Sequence, residues 1–133
     1  MADIDFDRLA RTYGIRLLLQ FGSTVAGSVH PGSDIDLAVL LERGPLSLDQ
    51  RAKLLHDLQR LFPEREVDLA VLNHADPLFL KKVTERCRLL FGPAAALARL
   101  KLQAFRRYQE HQKYFDLERR FVARALNDSA DRG

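Results

Sequence analysis

Three aspartates stand in segments that otherwise read as apolar strands. Asp34 and Asp36 flank Ile35 at the head of a run reaching Leu41, and Asp68 interrupts the stretch Arg65 to Leu72. Residues two apart on a strand project to the same side, so Asp34 and Asp36 present two carboxylates together, and Asp68, from another strand, can complete a cluster. An ionised carboxylate on a buried sheet face is strongly unfavourable unless something neutralises it. Two adjacent carboxylates suit hard divalent cations such as magnesium, which take oxygen ligands. An isolated Asp-x-Asp is commonly no more than a strand end or a solvated face. Gly22 and Ser23 change that balance, because they close a strand directly before Thr24 to Ser28, a stretch able to form one or two helical turns. A glycine there lets the backbone approach a phosphate, and free N–H groups with the serine hydroxyl can grip it. Anion donors opposite metal carboxylates suit phosphoryl or nucleotidyl transfer from a triphosphate, since cations neutralise developing charge while the donors hold the phosphates for in-line attack. No nucleophile on the protein itself is required.

Positioning these groups takes a small α/β (α+β) domain. Phe6, Leu9, Ala10 and Tyr13 recur at helical spacing, which predicts a helix over Ile4 to Tyr13 with Gly14 as its stop. A strand over Arg16 to Phe21 follows, and a Pro31-Gly32 turn leads to the strand headed by Asp34. There Ile35, Leu37, Val39 and Leu41 share one face, and Asp34, Asp36, Ala38 and Leu40 the other. Ser47 and Gln50 make a capping box that opens a helix with Leu48, Leu55, Leu58 and Phe62 inward, ended by Pro63. In the third strand Val67, Leu69 and Val71 oppose Asp68, Ala70 and Leu72. Asp76-Pro77 reads as an N-cap and first helical residue of a helix through about Arg86, which places Cys87 on helix beside Val83 and Leu80. Arg88 to Phe91 is a short edge strand.

Beyond Gly92-Pro93 the segment Ala94 to about Leu126 contains no Gly or Pro, and Leu97, Leu100, Ala104, Tyr108, Phe115, Val122 and Ala125 trace a helical stripe. A helix of about 33 residues runs roughly 50 Å, longer than a core of this size can cover, so part of the stripe is expected to meet another protein. Residues 1–92 read as the core, and residues 93–133 as a long helix and tail that serve as its docking element.

Composition narrows the class. With 133 residues, 47% of them hydrophobic, one domain is expected. The single cysteine, Cys87, leaves no internal disulfide framework and suits a reducing compartment, the cytoplasm. No signal peptide or membrane span is legible. A net charge of +3 is too small to indicate nucleic acid. The bases of the last segment interleave with Phe105, Tyr108, Tyr114 and Phe115, and protein docking ranks above direct nucleic-acid contact for it. His30, His56, His74 and His111 lack metal-ligand spacing.

Gly22-Ser23, ten intervening residues, Asp34-Ile35-Asp36, and then Asp68 within Glu66-Val67-Asp68-Leu69 resemble the DNA polymerase β-type nucleotidyltransferase superfamily. Within it, the short chain, the Phe21-Gly22-Ser23 lead and the continuation to Asn73 and Pro77-Leu78 resemble the minimal nucleotidyltransferase (MNT) antitoxins of HEPN/MNT toxin–antitoxin pairs, over roughly Phe6 to Leu126. The resemblance implies a nucleotidyltransferase fold and an enzyme that uses ATP and Mg2+ to place AMP on a tyrosine of a HEPN-domain ribonuclease toxin, in a hetero-oligomer formed through the last helix. It implies Asp34, Asp36 and Asp68 as metal and catalytic residues, Asp68 also helping to activate the attacking hydroxyl, and Gly22, Ser23, Thr24 and Ser33 as nucleotide-binding residues. Relatives often read Gly-Ser-x-x-Arg-Gly. Here Ala26 takes the place of the arginine and removes a triphosphate contact. Neutralisation by docking alone, and transfer to RNA or a small molecule, are the alternatives.

Overall fold

The computed structural model describes residues 2–22, Val25 and residues 34–131. The elements run α1 (Ala2–Tyr13), β1 (Ile15–Phe21), β2 (Ile35–Leu41), α2 (Leu48–Leu61), β3 (Val67–Val71), α3 (Pro77–Glu85), β4 (Cys87–Phe91) and α4 (Ala94–Asp131). Four strands form one mixed sheet in the order β3-β2-β1-β4, with β1 antiparallel to both β2 and β4 and β2 parallel to β3.

The central strands β1 (Ile-Arg-Leu-Leu-Leu-Gln-Phe) and β2 (Ile-Asp-Leu-Ala-Val-Leu-Leu) are nearly continuous apolar runs, the pattern of strands covered on both faces. Two core layers sit on them. On one side Phe6, Leu9 and Ala10 of α1 and Leu54 and Leu58 of α2 pack on Ile35, Leu37, Val39, Leu41 and Val67. On the other, Leu80 and Val83 of α3 and Ala96, Leu100 and Ala104 of α4 pack on Leu17, Leu19, Phe21 and Ala38. The expected facing of β2 and β3 is found: Ala38 and Leu40, with Ala70 and Leu72, line the α3/α4 side.

The stripe of α2 differs from expectation. The Ser47–Gln50 capping box is present, but Leu48 is 89% exposed, Leu55 also faces solvent, and Leu54 and Leu58 are the fully buried pair. Leu48 begins the helix beyond the edge of the core, and Leu55 lies a further 100° around the axis from Leu54. Leu54, Leu58, Leu61 and Phe62 form the stripe that meets the sheet.

Tyr13 fastens α1 to α2, its Oη donating to Asp57 Oδ2 at 2.6 Å. Burial, then the hydrogen bond to Asp57 and its charge, push the phenol up to about 12. An unfolded tyrosine titrates near 10. The stabilisation is therefore complete below about pH 10 and is lost as pH rises through about 12. Tyr13→Phe is expected to cost on the order of 1 kcal/mol at pH 8, and the gap between wild type and variant in chemical denaturation should close between pH 10 and 12; no gap at pH 8 would show that this contact does not stabilise the fold.

Gly92, between β4 and α4, has φ +112°, and a Cβ there would lie 2.4 Å from the Arg16 carbonyl oxygen. The close approach seats the start of α4 against β1. From there α4 runs for 38 residues, roughly 57 Å. Its first half is anchored by Ala96, Leu100 and Ala104, by Arg107 Nη2 donating to Ala75 O at 3.1 Å, and by Lys81 of α3 over the Tyr108 ring. Residues 113–129 are all exposed, Tyr114, Leu117, Phe121 and Leu126 each by 64% or more. Among the described residues no helix is long and apolar enough to cross a membrane.

Candidate active site

The end of β1 lies beside the start of β2 because the two run antiparallel, with Phe21 opposite Asp36. Since β2 and β3 run parallel, Asp36 stands in register with Asp68. Both aspartates belong to the α3/α4 face, at the sheet end where its apolar cover stops. Asp34 immediately precedes β2, two residues from Asp36.

Two local devices hold β3 in this register. Gln59 of α2 donates through Nε2 to the carbonyls of Phe62 and Arg65 and accepts from Val67 N at 3.0 Å, which shapes the α2–β3 loop just before Asp68. Ile35 N donates to Glu66 O at 2.8 Å beside it. At the far end Asn73 both accepts from Leu41 N and donates to Leu41 O, at 2.8 and 2.9 Å.

Gly22 has φ +81°, and a Cβ at this position would fall 2.5 Å from Asp36 Oδ2. The Asp36 carboxylate thus lies in the space that any other residue would fill, and the backbone conformation is also one that L side chains rarely adopt. Val25 N donates to Gly22 O at 3.3 Å. Ser23, Thr24 and Ser33 lie outside the described residues, as do Ala26, His30, the Pro31-Gly32 turn and, Val25 apart, the short helical stretch expected over Thr24 to Ser28.

Burial raises the pKa of Asp36 first, then the charges of Asp68 and Asp34, and Lys82 of α3 opposes them. The charges of Asp68 and Asp34 therefore both bear on the Asp36 carboxyl. Among the described residues no three His, Cys, Asp or Glu side chains make a compact metal cluster. Even so, an all-oxygen donor set around a half-buried, mutually repelled carboxylate matches what a hard divalent cation neutralises.

Cys87 corrects an expectation. It opens β4 and does not lie on α3, which ends at Glu85 with Arg86 extended at its C-cap. Cys87 pairs with Phe21, and burial pushes its thiol pKa up, which suits packing and not a reactive thiolate. Lys82 was missed by sequence reasoning. Phe79, one turn earlier, packs edge-on against Phe21 with centroids 5.9 Å apart, and this contact brings α3 over the site. The signal available was Phe79 and Lys82 at i, i+3 spacing on one helix.

Carboxylates from two parallel strands are set against the glycine at the end of an adjacent antiparallel strand, an arrangement that suits nucleotidyl transfer from a triphosphate. The sequence matches the polymerase beta nucleotidyltransferase family over residues 7–94, and the chain belongs to that family. Solved structures share its fold. A toxin–antitoxin with AMP-PNP is 25% identical with a TM-score of 0.72, covering 95% of this chain and 98% of that one. A tri-AMPylated HEPN toxin in complex with MNT antitoxin, from Shewanella oneidensis, gives 23% identity and a TM-score of 0.65 over 95% of this chain and 98% of that one. The toxin–antitoxin MntA-HepT also gives 23% and 0.65, over 94% of this chain and 96% of that one. Among curated proteins no sequence matches.

Proposed function

We propose that this chain is an MNT-type antitoxin that transfers AMP from ATP, with Mg2+, to a tyrosine of a HEPN-domain toxin and thereby silences it. One observation carries the reading: Asp36 and Asp68 stand in register on one face, with the Asp36 carboxylate against Gly22. The structural neighbours with AMP-PNP and with an AMPylated HEPN toxin support it.

Asp34, Asp36 and Asp68 would hold the divalent cation, which supplies neutralisation of phosphate charge when bound. The backbone at Gly22, with Ser23, Thr24 and Ser33, would grip the phosphates. The tyrosine oxygen attacks the α-phosphorus and passes its proton to the carboxylate of Asp68, which is exposed and open to a macromolecular acceptor. The new O–P bond forms as the bond to the β-phosphate oxygen breaks, and pyrophosphate leaves. Residues 93–133 would dock the toxin in a hetero-oligomer, in the cytoplasm where ATP is supplied.

A second reading, neutralisation by docking alone, is favoured by the unpacked apolar side chains of α4. Incubation with α-labelled ATP, Mg2+ and a HEPN toxin partner separates the two. Label on the toxin, removed by Tyr→Phe at the acceptor, is the expected result. Toxin that is silenced without label selects docking alone, and label on RNA or a small molecule selects a different acceptor.

A further inference from the structure

The triphosphate of a bound nucleotide brings several negative charges to a site already built from three carboxylates, so a cation of the protein is expected to share their neutralisation with the metal. The segment expected to grip the phosphates, Ser23 to Ser33, contains no Lys or Arg in the sequence, and His30 is its one basic side chain. A lysine or arginine must come from another element.

α3 is the element fixed over this end of the sheet. Asp76 caps it by accepting from Leu78 N at 2.8 Å, Leu80 and Val83 are fully buried, and Phe79 is locked edge-on against Phe21, the residue opposite Asp36. Lys82 lies one turn beyond Phe79 on the same side of the helix. Its neighbour Lys81 is already committed, bonded to Glu85 and set over the Tyr108 ring. Lys82 makes no hydrogen bond or salt bridge among the described residues and is exposed on the helix that Phe79 fixes over the Asp36 end of the sheet. A rigidly placed helix thus offers an uncommitted ammonium at the rim of an acidic site.

We propose that Lys82 is the cation of this protein that contacts the triphosphate of the nucleotide. It rests on the nucleotidyltransferase reading above and adds the residue that distinguishes a triphosphate from a monophosphate. Lysine suits the role as a compact charge on a flexible stem that can follow the phosphates as they move.

Calorimetric titration of the full chain with Mg·ATP and, separately, with AMP tests this. Lys82→Ala and Lys82→Gln are expected to weaken Mg·ATP about 10- to 100-fold and AMP no more than about 3-fold, while Lys82→Arg stays near wild type. Lys81→Ala, the same charge deletion one residue away, should leave Mg·ATP binding unchanged. Wild-type affinity for Mg·ATP in the Lys82 variants overturns the proposal and leaves the enzymatic reading standing. Equal loss for ATP and AMP, or equal loss in Lys81→Ala, shows a structural or diffuse electrostatic role and overturns it as well. Failure of the wild-type chain to bind Mg·ATP removes both.

Discussion

Asp36→Asn is expected to lower nucleotidyl transfer by roughly 10³-fold or more while leaving the metal-free protein more stable than wild type. The two effects share a cause. Asp36 is half-buried against Gly22 and feels Asp68 and Asp34, and together these raise its pKa above the ordinary carboxylate value. A carboxyl that is harder to ionise in the folded state contributes its full stability only below its unfolded pKa, near 3.9, and loses that contribution as pH rises through the folded value. At neutral pH the ionised carboxylate therefore opposes folding. Asparagine keeps the shape and removes the charge, so its melting temperature in chelator at pH 7 should exceed that of wild type by roughly 2–5 °C, with the advantage shrinking toward pH 3. Magnesium should raise the melting temperature of wild type and have little effect on the variant. Transfer within tenfold of wild type, or a variant less stable in chelator, would show that Asp36 is an ordinary strand residue.

The second large effect is expected at the far half of α4. Phe121 is 74% exposed and aligns with Tyr114 and Leu117, and Phe115, Val122 and Leu126 make an adjoining row. Large apolar groups gathered this way on a monomer mark an interaction surface. Phe121→Asp touches no core residue and should leave the melting temperature within about 1 °C. If this helix docks the toxin, the same change places a charge in the centre of a dry contact and should weaken the complex on the order of 100-fold or more. Label transfer to the toxin should then fall through a raised apparent KM, with transfer at saturation retained. Unchanged affinity of the purified pair would move the docking surface elsewhere on the chain.

Much of this architecture could be read from residue order. The alternation in Ile35–Leu41 and Val67–Leu72 placed Asp36 and Asp68 on the same face as Ala38 and Ala70, and the structure puts them in one register. Helix ends marked by Ser47, Asp76 and Pro77 were legible because capping is a local interaction. Periodicity gave the α2 stripe less well, since Leu48, Leu54, Leu55 and Leu58 offer two overlapping helical faces and only the position of the sheet selects Leu54 with Leu58. Cys87 was misplaced for a similar reason: Val83 to Arg86 fits a helix, and pairing with Phe21 decides where the strand begins. Lys82 carries no mark of its own in the sequence. Its position comes from the Phe79–Phe21 contact between distant segments.

The seat of Gly92 against Arg16 and Leu17 acts mechanically at a distance. A rod of roughly 57 Å turns each degree of rotation at its pivot into about 1 Å at its tip. A bulkier residue at position 92, by prising β4 from β1, would tilt α4 together with the α3 contacts that hold its first half, and so displace Phe121 and Leu126 by ångströms without touching them. The aim of the arm is set at its root, on the strand whose other end carries Gly22.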